Sequence, residues 1–334
     1  MSIATVSRVL NGQTNVATPT REKVQQALAR RGANAPTPRA APPPRRSGPV
    51  LLRCPYVLTD YFGIISSAVA QTLALHGRDV LLDAGEAAQR SPALSQLGRA
   101  AGPDGAVLIL PPEPAGELVA LRARGFPYVV VDPRTPLPRD IAAVSAAHAA
   151  GARSIGVHLV GLGHRRIGYI GGPTDWLASQ QRAAGHRSAL ADAGVLPAPE
   201  LATSVAPTIA AGHRAARRLL ELANRPTALV CFNDKIAVGA LRAAADLGLA
   251  VPADLSVTGF DDIDISLATR PLLSTVRQPL QEMGRMAVSV LMRMLERHDH
   301  EALHVELATE LIVRDSTGPV PVRRCTAGER GEPA

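Results

Sequence analysis

The sequence has only three cysteines among 334 residues, Cys54, Cys231 and Cys325, far apart and odd in number. That spacing supports neither a disulfide framework nor a zinc site. No stretch approaches the ~18 consecutive apolar residues of a membrane-spanning helix. Residues 1–20 lack the apolar run of a secretory signal. The chain therefore reads as soluble and cytoplasmic. Lysine is almost missing: it occurs only at Lys23 and Lys235, and arginine supplies the rest of the positive charge. The choice between the two matters physically at bidentate or stacked sites. Because alanine and proline are also abundant, the bias reads as the mark of a GC-rich genome rather than a functional code. No nucleophile–base pair or carboxylate pair stands out for catalysis. The run His298-Asp299-His300-Glu301 lacks metal-ligand spacing. Hence no enzymatic activity, cofactor or metal is expected.

What the sequence does have is an uneven charge. The formal net charge is +7. Residues 1–49 hold Arg8, Arg21, Lys23, Arg30, Arg31, Arg39, Arg45 and Arg46 against Glu22 alone, so the whole +7 sits there and residues 50–334 are neutral. A basic head on a neutral body points to a nucleic-acid arm or a membrane-surface arm. With 46% hydrophobic and 19% charged residues, the composition is that of a folded globule rather than a disordered chain. At roughly 100–200 residues per domain, the length suggests two or three folding units.

Three zones follow along the chain. Residues 1–31 read as two short helices. Residues 32–48, GANAPTPRAAPPPRRSG, form a Pro/Arg-rich linker with prolines at 36, 38, 42, 43 and 44. Proline lacks the amide donor and obstructs a preceding helical turn, so this stretch is expected to be extended. From residue 49, short apolar strands are expected near 49–54, 78–83, 105–110, 127–131, 166–171, 227–231 and 255–259. Amphipathic helices are expected at 63–76, 91–101, 115–124, 147–161, 178–193, 210–223, 234–247 and 279–296. Runs such as AVLIL (106–110), YVVV (128–131) and ALVCF (228–232) suit strands buried on both faces. The alternation implies an α/β fold with doubly wound parallel sheets. Its extent exceeds one comfortable core, so residues 49–316 are expected to form two lobes. Residues 317–334, polar and rich in Pro and Gly, are expected to be a disordered tail.

In the head, SIATVSRVLNG (2–12) reads as a short helix. Ser2 can cap it by accepting a bond from an orphan amide. Val6, Val9 and Leu10 stand at i, i+3 and i+4 and make one apolar face, while Ala4 and Arg8 line another. Asn11-Gly12 ends the helix with residues that tolerate the left-handed conformation. The next helix opens at Thr18-Pro19, a cap followed by proline at the first helical position. Val24, Ala27 and Leu28 form its packing face. Two short helices with a polar connection and basic exposed faces suit docking into a DNA groove; an ordinary helical hairpin with a solvated face is the alternative.

TVSRVLNG at 5–12, with TREKVQQAL at 20–28, resembles the helix-turn-helix of the lactose-repressor (LacI/GalR) family of bacterial transcription regulators. The resemblance implies that Ser2–Leu10 is a recognition helix opened at the DNA by Ser2. It places Ile3 and Ala4 at variable base-reading positions, Arg8 on a base or phosphate, and Thr5, Ser7 and Asn11 on phosphate. The chemistry agrees. A guanidinium bonds a guanine edge bidentately and small apolar groups touch a thymine methyl, while hydroxyls and amides on phosphates fix register. In the family another helix precedes the recognition helix and buries Val6 and Val9. The expectation is an N-terminally truncated helix-turn-helix, with the native start upstream and Met1 an internal valine codon read as a start. The family also has a hinge helix after this region. The prolines at 36–44, and the lack of leucine between Leu28 and Leu51, argue against one here. Arg39, Arg45 and Arg46 are left to meet phosphates in salt-dependent contacts.

The body resembles the same family's periplasmic-binding-protein-like effector domain. The blocks that carry the resemblance are GHRRIGYIGGP (163–173), QRAAGHRSAL (181–190), PTALVCFND (226–234), VPADLSVTGFDDIDIS (251–266) and PLLSTVRQPLQEMG (271–284). Beside the resemblance, Asp132, Arg182, Asn233 and Asp261 fall at or just past the C-terminal ends of expected strands, where open α/β sheets bind ligands. They offer a donor fork, two carboxylates and an amide, a mixture that suits a polyhydroxyl ligand such as a sugar. The resemblance implies that these four bind effector. Asp261 can equally cap a turn, and Asn233 the following helix. Phe62 matches a family aromatic that stacks on a sugar face or packs in the core. Trp176, the single tryptophan, fits an aromatic plate over the ligand or a surface contact. Near 207, where the family often has an aromatic, the chain has SVAPT (204–208). GLGHRR (161–166) precedes a strand instead of following one and is no dinucleotide loop.

The sequence thus reads as a homodimeric DNA-binding repressor controlled by a small effector, with double-stranded operator DNA and that effector as partners. A cytoplasmic solute-binding sensor that has lost DNA binding is the alternative.

Overall fold

The computed structural model describes residues 9, 17–31, 48–90, 93–98, 102–297 and 304–321. The chain divides into two compact units, Met1–Arg46 and Ser47–Ala334.

In the first unit, α1 (Thr18–Arg31) begins at the expected Thr18-Pro19 step. Proline is accommodated there because the first amides of a helix have no intrahelical partner. Of the expected packing face, Val24 is buried and Ala27 is exposed. The expected recognition helix, apart from Val9, and the linker up to residue 47 lie outside the described residues.

The second unit opens with β1 (Val50–Cys54), α2 (Asp60–Leu75) and β2 (Val80–Ala84). One helical turn, α3 (Ala93–Gln96), precedes β3 (Gly105–Ile109), α4 (Ala115–Ala123), β4 (Tyr128–Val131) and β5 (Ala143–Ala146). A second lobe follows: α5 (His148–Gly161), β6 (Ile167–Gly171), α6 (Leu177–Asp192), β7 (Ala202–Ser204), α7 (Ile209–Leu220), β8 (Ala228–Cys231), α8 (Asp234–Asp246) and β9 (Ser256–Thr258). After β10 (Thr275–Arg277) the chain returns to the first lobe as α9 (Leu280–Arg297) and β11 (His304–Leu307), then crosses again into β12 (Glu310–Ile312).

The first lobe holds a parallel sheet in the order β11-β5-β4-β3-β1-β2. The second holds a parallel sheet in the order β7-β6-β8-β9, while β10 and β12 pair antiparallel. Helices cover both faces of each. In the first lobe, Leu52, Val107 and Val129 pack with Ile65 of α2 and Leu291 of α9. Their neighbours Leu51, Leu108 and Val130 face the other way, onto Leu94 of α3 and Leu118 of α4. The second lobe repeats this. Leu229 and Cys231 meet Leu219 and Ile236 on one face, and Val230 meets Ile155 and Leu190 on the other. Burial on both faces is why these strands read as continuous apolar runs.

The seven expected strands are present within about two residues. Five more, β5, β7, β10, β11 and β12, were not expected: each has three or four residues, too few to show a period against their polar and small neighbours. Residues 317–321, which were expected in the tail, are held by hydrogen bonds to the second lobe. Gly318 bonds Ser256 through both its backbone groups, and the Val320 amide donates to Leu162 O at 2.9 Å. His164 completes this anchor, bonding Thr227 through Nδ1 and both Ser256 and Gly318 through Nε2. These bonds outweigh the polar composition that suggested disorder for 317–321; residues 322–334 lie outside the described residues.

Candidate functional site

The strand order places the site. The chain passes between the lobes after β5, after β10 and after β11, so the C-terminal ends of the central strands face one another across a cleft. All six residues expected at the effector, Phe62, Asp132, Trp176, Arg182, Asn233 and Asp261, line one cavity of about 90 Å³ there. Tyr61, Leu110, Pro207, Phe232 and Lys235 complete much of its wall. Such a volume is far below the roughly 300 Å³ at which pockets for drug-sized ligands begin, so the lobes are drawn close. Lys235 Nζ lies 2.7 Å from Asp60 Oδ2, and Arg134 pairs with Asp175, both across the cleft.

Asp132 follows β4 directly. Its Oδ1 lies 2.6 Å from His148 Nε2, and its Oδ2 accepts from Tyr61 OH at 2.6 Å. Arg182, on α6, donates from Nε to His148 Nδ1 at 3.4 Å. A donor facing Nδ1 makes that nitrogen the acceptor, so the proton sits on Nε2 and points at Asp132. Burial alone would raise Asp132; the His148 ring, the Tyr61 hydroxyl and Arg182 more than offset it and hold the carboxyl below its usual range. Arg182 also donates from Nη1 to Phe232 O at 2.6 Å, and its guanidinium carbon lies 3.7 Å from the Phe260 ring centre. Its Nη2 stands 3.5 Å from Asp261 Oδ1, which accepts from Gln278 Nε2 at 2.7 Å.

Asn233 has two duties. Its Oδ1 caps α8, accepting from Ile236 N at 3.0 Å, which leaves the amide nitrogen to the cavity. The next residue, Asp234, is fully buried. It accepts from Ile263 N at 3.0 Å and from Thr275 Oγ1, and so holds the Asp261 loop in place. Phe62 stacks on Tyr56 with centroids 4.6 Å apart, and Trp176 stands edge-on to Tyr56 and Phe232. Leu110, Asp132 and Asp261 adopt φ of 43°, 53° and 119°. Such conformations cost non-glycine residues about 1–3 kcal/mol each and collect at ligand sites, where surrounding contacts compensate.

Tyr61, His148, Lys235 and Gln278 did not emerge from the sequence. His148 follows β5, whose four small residues hid a strand end. Tyr61 stands one place before Phe62, the position that the resemblance marked.

Burial pushes Asp261 up to about 7, with Arg182 and Gln278 pulling it down and Asp132 pushing it further up. The folded protein therefore holds this proton more tightly than the unfolded chain. The stability it contributes is full below the ordinary carboxylate range and is lost as pH rises through about 7. Thermal melts from pH 4.5 to 8 check this against Asp261→Asn, which mimics the protonated form. Wild type should lose stability relative to the variant as pH rises; a difference that does not change with pH contradicts the assignment.

Residues 1–32 match the family described as bacterial regulatory proteins, lacI family, and residues 157–317 match the periplasmic binding protein-like domain. The HTH-type transcriptional regulator MalR of Streptomyces coelicolor is 35% identical, across all of this chain and 96% of that protein. The HTH-type transcriptional repressor CytR of Escherichia coli is 31% identical, across 96% of this chain and 94% of that one. The chain belongs to the LacI family of bacterial transcription regulators. Among solved structures, the transcriptional regulator CelR–cellobiose complex superposes with a TM-score of 0.74 at 28% identity, covering 95% of this chain and 96% of the other. In this LacI-family chain, the residues expected at DNA, Ser2, Ile3, Ala4, Thr5, Ser7, Arg8 and Asn11, lie outside the described residues, as does the run 298–301. Among the described residues, no cluster of His, Cys, Asp and Glu is suited to a metal, and no helix is long and apolar enough to cross a membrane.

Proposed function

We propose that this LacI-family chain is a homodimeric repressor whose operator affinity is set by a small polyhydroxyl effector, such as a sugar, bound between its lobes. The observation that carries the reading is the convergence of Asp132, Arg182, Asn233 and Asp261 beside Phe62 and Trp176 in one cleft. Carboxylates accept from ligand hydroxyls, the guanidinium and the Asn233 amide donate to ring or hydroxyl oxygens, and the aromatic faces cover the apolar side of a sugar. The bound sugar of CelR, a relative in fold and sequence, supports the ligand class. Ser2, Ile3, Ala4, Thr5, Ser7, Arg8 and Asn11 are the proposed DNA contacts, with Lys23 and Arg21 adding to the positive head. The effector acts by preferring one lobe arrangement, and that preference bounds the change in operator affinity. Dimerisation has support in exposed leucines of the first lobe, Leu75 at the end of α2 and Leu81 and Leu82 on the edge strand β2.

A thermal-shift screen of sugars on the whole protein tests the site. A ligand at a hundred times its Kd adds about 2.7 kcal/mol to stability, and the shift should vanish in Asp132→Asn. A panel of pentoses, hexoses and disaccharides with no shift, or a shift that Asp132→Asn leaves intact, contradicts the assignment.

A further inference from the structure

The boundary between the two compact units falls between Arg46 and Ser47. The second residue past it, Gly48, is held from both sides. Its amide donates to Asp104 Oδ2 at 2.7 Å, and its carbonyl accepts from Arg78 Nη1 at 3.0 Å. Arg78 Nη1 also donates to Asp104 Oδ2 at 2.9 Å, so the two side chains close around one backbone unit. Both are largely buried, at 10% and 19% exposed. The next residues are fixed as well. Pro49 O accepts from Asp104 N at 2.9 Å, and Val50 N donates to Asp79 O at 2.8 Å. A Cβ at position 48 would stand 2.9 Å from Asp104 Oδ1 and 3.1 Å from its Cγ, so a side chain there would push the carboxylate off these bonds.

The sheet explains why these two side chains meet at Gly48. β1 runs between β2 and β3. Arg78 stands two places before β2 and Asp104 one place before β3, at the N-terminal ends of the strands. The other ends reach the cleft: Leu110, next after β3, lines the cavity, as does Asp132 after β4. Five residues of strand, at about 3.3 Å each, span roughly 17 Å. One sheet thus carries effector residues at one edge and the attachment of the linker at the other. Movement of the first lobe displaces a linker fixed to its sheet, whereas a loose tether absorbs that movement.

We propose that Arg78 and Asp104 form a clamp that fixes where the linker leaves the effector lobes, and that through it the first lobe moves the DNA-binding head. Both are positioning residues, acting through Gly48. The inference rests on the proposed function, which takes the head to read DNA and the cleft to bind an effector.

Trypsin reads the clamp without any ligand. Cleavage after Arg46 needs residues 47–49 to enter the protease, which the clamp opposes, whereas the cut after Arg39 lies nine residues before Gly48. Where opening is fast, cleavage follows the population of the open form. Relative to the Arg39 cut, the Arg46 cut should be about tenfold faster in Asp104→Ala, as for loss of one charge-assisted bond. Gly48→Ala, which keeps both clamp side chains, should speed it in the same direction. Operator titration then reads the coupling. Both variants should bind a sugar from the screen as the wild-type protein does, with circular dichroism showing them folded, while the change that the sugar makes in operator affinity shrinks or vanishes. An unchanged cleavage ratio in both variants overturns the proposal, and so does a full wild-type response to the sugar in both. If no sugar changes operator binding by the wild-type protein, the proposed function fails, and the cleavage ratio still decides the clamp.

Discussion

Replacing Arg182 with alanine is expected to abolish effector binding and to destabilise the protein by about 3 kcal/mol. The side chain is 4% exposed and bonds to His148 and Phe232, with Asp261 beside it. Removing it leaves Asp261 and Asp132 in the same low-dielectric cleft without their shared cation. Asp261, already pushed up to about 7, takes a proton and so limits the loss, which is why the low end of the range for a broken buried pair applies. At about 2.1 cal/mol/K of unfolding entropy per residue, a chain of 334 residues loses about 1.5 °C per kcal/mol, so the melting temperature should fall by roughly 4–5 °C. Arg182→Lys retains the charge but not the fork that reaches His148 and Phe232 together. It should recover part of the stability and little of the binding. Melting curves with titration of a sugar from the screen measure both effects. Wild-type affinity in Arg182→Ala contradicts the role.

Gly185→Ala should cost about 2–3 kcal/mol, a large effect for one methyl group. A Cβ at Gly185 would stand 2.0 Å from Ala149 O and 2.9 Å from its carbonyl carbon. Backbone cannot turn aside as a side chain can, so α5 and α6 would have to part. Those helices carry His148 and Arg182, and the bond between them should lengthen in the same variant, weakening effector binding as well as stability. Gly161→Ala provides the comparison. Nothing lies near its added methyl group, and alanine favours the helix by up to about 1 kcal/mol. Urea unfolding should show a lower midpoint for the first variant and an unchanged or higher one for the second. Equal midpoints for both variants contradict the packing argument.

Much of the framework was legible because central parallel strands are buried on both faces. Leu51 and Leu52 in β1, like Leu229 and Val230 in β8, had to be apolar whichever way they pointed. Asp132, Arg182, Asn233 and Asp261 were legible for a related reason: each comes at or after a strand that could be found. What stayed hidden depended on pairing across long separations. His148 is explained by Asp132 and Arg182, 16 and 34 residues away, and its strand, AVSA, has no period to read. Tyr61 bonds Asp132 from the other side of the first lobe's sequence, 71 residues off. The Asn233 cap, by contrast, is a local motif, and the alternative of capping the next helix proved compatible with a place in the cavity wall. The anchoring of residues 317–321 was hidden because composition describes a segment's own tendencies, and His164 and Ser256 are not part of the segment.

In the proposed function, one chain joins operator DNA to a ligand held between its lobes. Gel-shift titration of the protein on DNA from its neighbouring promoter, with and without a sugar from the screen, tests it most directly. The expected result is binding that weakens steeply with salt, an affinity that the sugar changes, and no response to the sugar in Arg182→Ala. DNA binding that is absent, or that the same sugar leaves unchanged in the wild-type protein, would contradict it.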